Sequence, residues 1–193
     1  MDFFVLPRFK HRICTEELPL LSNSKEQWLK DIRKVAESQT AKKRAVLVIC
    51  ESIGAVEDIR KAIDGVSDRV HSYHSSFDKG FEKNLTPLDI VIATNLAGRG
   101  TDFKISRELE ENGGLHVVLG YMPPNARVEA QAEGRTARAG QPGSYQVMRA
   151  VSQFQFQFTF HVFIDKFYTF IVYKLQIKLE GERHVVFKYL LCN

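Results

Sequence analysis

Apolar and polar positions follow two different rhythms along this chain, and the change between them marks where one kind of structure ends. Over Ala45–Cys50 the residues AVLVIC are apolar without a break, which suits a strand covered on both faces. DIVIAT over residues 89–94 and LHVVL over Leu115–Leu119 have the same character. Around these runs the spacing is helical. Ser24 with Gln27 three residues on reads as a capping box, and Trp28, Ile32, Val35 and Ala36 share one face of a helix ending near Gln39. Ser52 caps a second helix, in which Ile53, Val56, Ile59 and Ile63 recur before Gly65 stops it. A short strand is expected at Val70–Tyr73. Beyond Gly120, Pro123 and Pro124 introduce a helix through about Ala137, Gly140 and Gly143 turn the chain, and residues 144–148 make a last strand.

Strands separated by helices indicate βα units joined by right-handed crossovers into a parallel sheet, so the expected class is α/β. The rhythm stops near residue 150. Over 154–162 the sequence alternates strictly between apolar and polar residues, as an amphipathic strand or hairpin would. Three segments follow: an extended lead-in at 1–23 containing Pro7 and Pro19, the α/β domain at 24–150, and a divergent, β-prone, aromatic-rich tail at 151–193.

Composition narrows the class. The chain has 193 residues, 44% apolar and 26% charged, enough for one folded domain with a sizeable core. A net charge of +4, spread along the chain, gives no strong nucleic-acid signal. The three cysteines, Cys14, Cys50 and Cys192, are far apart and form neither a disulfide framework nor a CxxC site. The opening MDFFVLPRFKHR places Asp2 ahead of a short apolar run and has no small-residue cleavage site, so it does not read as a secretion signal. The apolar stretch at 167–173 is seven residues long, against roughly 20 for a membrane-spanning helix. The expectation is a cytoplasmic protein or one at the membrane periphery.

Two segments carry candidate chemistry. ATNLAGRGTD at 93–102 directly follows a buried strand, and ligands of open α/β sheets bind outside the carboxyl ends of strands. Gly98 and Gly100 allow close backbone approach, Arg99 offers a planar fork of donors, and Asp102 can accept from a ribose, a water or an arginine. The plainer alternative is a tight turn with a surface salt bridge. QAEGRTARAG at 131–140 places Arg135 and Arg138 three apart on the expected helix, so that both guanidinium groups project from one face and can converge on an anion. Its plainer alternative is a solvated basic helix end. His71 and His74, three apart on an expected strand, fall on opposite faces and do not form a shared metal site.

In order and context these segments resemble the C-terminal motor domain of superfamily 2 helicases and, more closely, that of the SecA protein translocases. AVLVIC is similar to the strand of motif IV, ATNLAGRGTD to motif V and QAEGRTARAG to motif VI. Asn95, Leu96, the GRGTD string and Gly113-Gly114-Leu115-His116 are the SecA-like marks. The resemblance covers about residues 12–148. It implies a RecA-like, P-loop NTPase type of lobe that completes an ATP site and works with a first RecA-like motor lobe, from the same gene upstream or from another chain. It also implies unfolded protein and a membrane channel as partners. Arg135 and Arg138 then act on the phosphates as catalytic arginines. Gly98, Arg99, Gly100, Thr101 and Asp102 form the nucleotide-binding turn, with Asp102 on the nucleotide, and Arg99 and Gln131 couple ATP to the two lobes.

The chain departs from the family pattern in places. Glu133 stands where the family usually has arginine, Ala137 where it has glycine, and PPNAR, keeping only Arg127, replaces the segment before motif VI. No GxxxxGK[ST] occurs in this sequence, and no apolar strand ends in paired acids for Mg²⁺. The Mg²⁺ that accompanies ATP is therefore expected mainly from the first lobe, and the chain alone is expected to be inactive as an ATPase. Two other readings stand beside this one: the C-terminal lobe of an RNA helicase, and a non-catalytic interaction module on a RecA scaffold.

Overall fold

The uninterrupted apolar runs become the middle of a sheet. The computed structural model describes residues 13–73, 84–95, 103–123 and 125–150. The chain divides into two compact units, Met1–Gln153 and Phe154–Asn193, and every described residue belongs to the first. The tail at 151–193 lies outside the described residues.

The elements are β1 (Ile13–Glu16), β2 (Leu20–Ser22), α1 (Lys25–Ala41), β3 (Ala45–Cys50), α2 (Ile53–Ala62), β4 (Val70–Tyr73), β5 (Asn84–Leu85), β6 (Ile90–Thr94), β7 (Lys104–Ile105), α3 (Arg107–Glu111), β8 (Leu115–Leu119), α4 (Ala126–Glu133), a 3₁₀ turn (Arg138–Gly140) and β9 (Pro142–Ala150). The main sheet has the order β1-β9-β8-β3-β6-β4, with β2 also on β9. All its pairings are parallel. β3 is central: Val46 is in register with Ile90 on one side and His116 on the other. Its six residues are all buried, as a strand covered on both faces requires.

Local chemistry sets the helix boundaries. Ser24 accepts from the Gln27 backbone N–H at 3.1 Å, and Ser52 caps α2 by accepting from Ala55. The Gln27 side chain turns instead to Asp31 at 2.8 Å, so the capping box is one-sided. Past α2, Gly65 takes a φ of +76°, a left-handed conformation that glycine adopts freely. The lead-in contributes two short strands to the edge of β9. Glu17 N–H donates to the Tyr145 carbonyl there, and Gln146 Nε2 donates to the Leu18 carbonyl.

One face of the sheet packs on α1 and α2. Trp28, Ile32 and Ala36 meet Val56 and Ile59 over Val46, Val48, Ile92, Val118 and Met148 in one buried cluster. Trp28 is fully buried, and its Nε1–H donates to the Met148 carbonyl at 3.2 Å, so its one polar atom is satisfied. By strand alternation, Leu47, Ile49, Val117 and Tyr145 project to the opposite face.

Candidate functional site

The arginines of the second candidate segment do not share a helical face. α4 stops at Glu133, with Gly134 as its C-cap. Arg135 N–H then bonds the Ala132 carbonyl and Thr136 N–H the Glu133 carbonyl, each three residues back, so the last turn tightens in the 3₁₀ manner. Ala137 takes a φ of +54°, and Arg138 opens the 3₁₀ turn. The helix expected through about Ala137 is thus four residues shorter, because the glycine and the left-handed residue reverse the chain. Arg135 lies in the turn, and Arg138 folds back so that its Nε donates to the Gly134 carbonyl at 2.8 Å. A cation against the last carbonyls of a helix also suits the helix dipole. Gln131 remains on α4, exposed.

Thr136, absent from the sequence-based site, seats this turn. It is buried, and its hydroxyl donates to the Leu115 carbonyl, the first of β8, at 2.5 Å. A methyl on Gly143 would collide with Thr136 Oγ1 and the Ala137 nitrogen. A methyl on Gly114 would run into the Pro142 carbonyl oxygen, and Gly113 and Gly114 both have positive φ, +97° and +72°. The glycine pair that marks the family resemblance therefore has a packing reason: the entry to β8 and the entry to β9 touch backbone to backbone. Spacing alone could not reveal this, but a glycine pair before one strand and a Pro-Gly before its neighbour are the signal to look for.

This geometry changes the end of the sheet at which the site lies. The first candidate segment follows the carboxyl end of β6, where a ligand site was expected. The arginine turn sits at the amino ends of β8 and β9. Residues 96–102, which include Gly98, Arg99, Gly100, Thr101 and Asp102, lie outside the described residues. On their far side, Phe103 is buried, β7 pairs with β5, and Ser106 N–H bonds the Leu85 carbonyl. Leu85 precedes the Thr86–Asp89 turn into β6, whose Leu88 N–H bonds the Arg44 carbonyl just before β3. The described chain after Asp102 therefore resumes at the amino ends of the strands, the end that carries Arg135 and Arg138.

Charge around the seat is ordered by burial. His116 in β8 is wholly buried, with Nδ1 2.7 Å from Ser144 Oγ. Burial first, then the positive charges of Arg44 and Lys42, push its pKa down to about 3, so the ring is neutral at physiological pH. Arg44 is itself buried, donating to the Gly114 carbonyl and to Gln39 Oε1. Burial lowers its pKa, while Glu17 and Cys14 raise it. On the other face, burial and then the carboxylates of Glu129, Glu133 and Glu16 push the Tyr145 hydroxyl far up. Glu133, the carboxylate at the family's arginine position, thus acts on a buried strand residue.

No protein-family model matches the chain. Of solved structures, a DEAD box protein from Methanococcus jannaschii aligns with a TM-score of 0.54 at 15% identity, over 86% of this chain and 40% of that one. With the parallel sheet between helices, this places the fold among RecA-like lobes of the helicase C-terminal class. Curated relatives add similarity in sequence. The protein translocase subunit SecA 3 of Magnetococcus marinus is 58% identical over 57 residues, 30% of this chain and 9% of that protein. The SecA 2 subunit of Nitrosospira multiformis is 33% identical over 122 residues, 61% of this chain and 18% of that protein. The chain is thus similar to a C-terminal RecA-like segment of SecA-type proteins. It spans less than a fifth of the length of either relative.

Proposed function

We propose that this chain is a motor lobe that completes an ATP site for ATP-driven protein translocation and does not hydrolyse ATP alone. The observation that carries this reading is the arginine turn: Arg135 and Arg138 stand three residues apart in a turn seated at the amino ends of β8 and β9, in a chain similar to SecA proteins. Such a donor set fits phosphate oxygens, for which arginine's planar fork is well matched.

In this reading ATP is the substrate, shared with a first RecA-like lobe from the same gene upstream or from another chain. Arg135 and Arg138 offset negative charge on the phosphates, Asp102 takes the nucleotide, and Arg99 and Gln131 couple its binding to lobe closure. Mg²⁺ comes mainly with the first lobe, because this sequence has neither the phosphate loop nor the paired acids that hold the metal. Unfolded protein is the cargo and a membrane channel the route, with the lobe cytoplasmic or at the membrane periphery. Among the described residues no helix is long and apolar enough to cross a membrane.

The test supplies a SecA-type first lobe carrying a Walker A motif and measures magnesium-dependent hydrolysis. Arg138→Ala is expected to slow it by about 10³ or more, as loss of an arginine finger does. An unchanged rate in a variant that still joins the first lobe would contradict the proposal.

A further inference from the structure

We infer that Thr136 is a positioning residue for the arginine turn: its hydroxyl, donated to the Leu115 carbonyl, sets where Arg135 and Arg138 stand. The functional consequence of this inference rests on the nucleotide reading above; the latch itself does not.

The turn needs a tie to the sheet to hold its place. Its backbone leaves α4 through three-residue hydrogen bonds and then passes through a left-handed alanine. An alanine in that conformation is strained relative to the right-handed region by about 1–2 kcal/mol, so local preference opposes the path the chain takes. Something outside the turn must hold it there. Thr136 is the buried polar side chain at the centre of the turn, 2% exposed, between the two arginines and beside the buried Ala137. Its hydroxyl reaches a strand carbonyl 21 residues away in sequence. Gly143 leaves the space into which Thr136 fits, and a side chain there would displace both Thr136 and the nitrogen of Ala137. A lesser tie, Gln141 Nε2 to Glu110 Oε2 at 3.3 Å, lies on the far side of the 3₁₀ turn. The hydroxyl ties the turn to β8, and the Arg138 Nε bond to Gly134 ties the guanidinium to the turn. Position therefore passes from the sheet to Thr136 and from Thr136 to the arginines.

Thr136 differs from a catalytic residue in that it need not touch the phosphates. Displacing a charged group by about 1 Å can cost as much as a hundredfold in rate, so a latch of this kind would matter to turnover without contacting substrate.

The experiment uses the full chain and follows hydrogen exchange of the Arg138 Nε–H by NMR, beside the backbone amides of β3 and β8. Thr136→Val keeps the shape and removes the hydroxyl; Thr136→Ser keeps the hydroxyl. The expected result is exchange at least tenfold faster at Arg138 Nε in Thr136→Val, wild-type exchange in Thr136→Ser, and sheet amides protected in both. Equal Arg138 exchange in Thr136→Val and wild type would overturn the inference. Should Thr136→Val lose sheet protection, the wild-type Thr136 hydroxyl proton decides. A slowly exchanging proton coupled to the Leu115 carbonyl supports the latch, and a rapidly exchanging one overturns it. With a first lobe supplied, turnover should fall about tenfold or more in Thr136→Val and return in Thr136→Ser. A latch confirmed by exchange together with unchanged turnover would count against the nucleotide reading alone.

Discussion

Single residues at the amino ends of the strands set the terms for the candidate site. Gly114 combines a φ of +72° with a contact that leaves no room for a side chain. Gly114→Ala would add left-handed strain to a clash with the rigid Pro142 carbonyl, so a loss of roughly 3 kcal/mol or more in urea unfolding is expected. A change below about 1 kcal/mol would show that the two strand entries do not touch. His116 makes the other residue-scale prediction. Its folded pKa of about 3 lies below the ordinary 6.5, so between these values the unfolded chain binds the proton and the folded chain does not. The stability this neutral ring preserves is complete above pH 6.5 and is lost as pH falls toward 3, at about 1.4 kcal/mol per unit, or about 2 kcal/mol by pH 5. His116→Gln should flatten that part of the profile when stability is measured from pH 7 to 5. Parallel profiles for wild type and variant would contradict the assignment. Legibility at this scale was uneven. Ala137 was visible as a departure from a family glycine, but nothing in an alanine announces a positive φ. Thr136 was silent because its partner is distant in sequence.

Elements were more legible where burial alone decides them. β3, β4 and β8 occupy the ranges expected from sequence, since a run of apolar residues bounded by a cap or a glycine has few alternatives. Both serine caps stand where they were read. Short or edge elements were not legible: β1 and β2 have no alternation, and only their pairing with β9 makes them strands. β9 extends from Pro142 to Ala150, beyond the expected 144–148, because it carries both lead-in strands. α4 ends at Glu133 rather than at about Ala137 because Gly134 caps it while the helical pattern of the sequence runs on. For the α1 layer the key residue is Trp28, which is buried in the core cluster and donates to β9. Trp28→Ala should cost about 3–5 kcal/mol, read as a shift of the urea midpoint at unchanged slope. A loss under 1 kcal/mol would mean that α1 is not anchored through this side chain.

At the scale of the whole molecule, the described chain is a RecA-like lobe similar to part of the SecA proteins, which are several times longer than the part they share with it. Three of the eight candidate residues, Arg135, Arg138 and Gln131, fall among the described residues. The GRGTD part is known from sequence together with the chain that flanks it. The sequence carries the two arginines proposed to face phosphate but neither a phosphate loop nor paired metal acids, and these supply much of the electrostatic stabilisation that phosphoryl transfer requires. Completing a site that another lobe begins is the role we propose for it. The most direct test is ATP hydrolysis by the purified chain, measured first alone and then with a Walker-motif first lobe added. The expected result is no magnesium-dependent turnover above background alone, and turnover on addition that depends on Arg138. Turnover by the chain alone that survives rigorous purification and disappears on Arg138→Ala would contradict it.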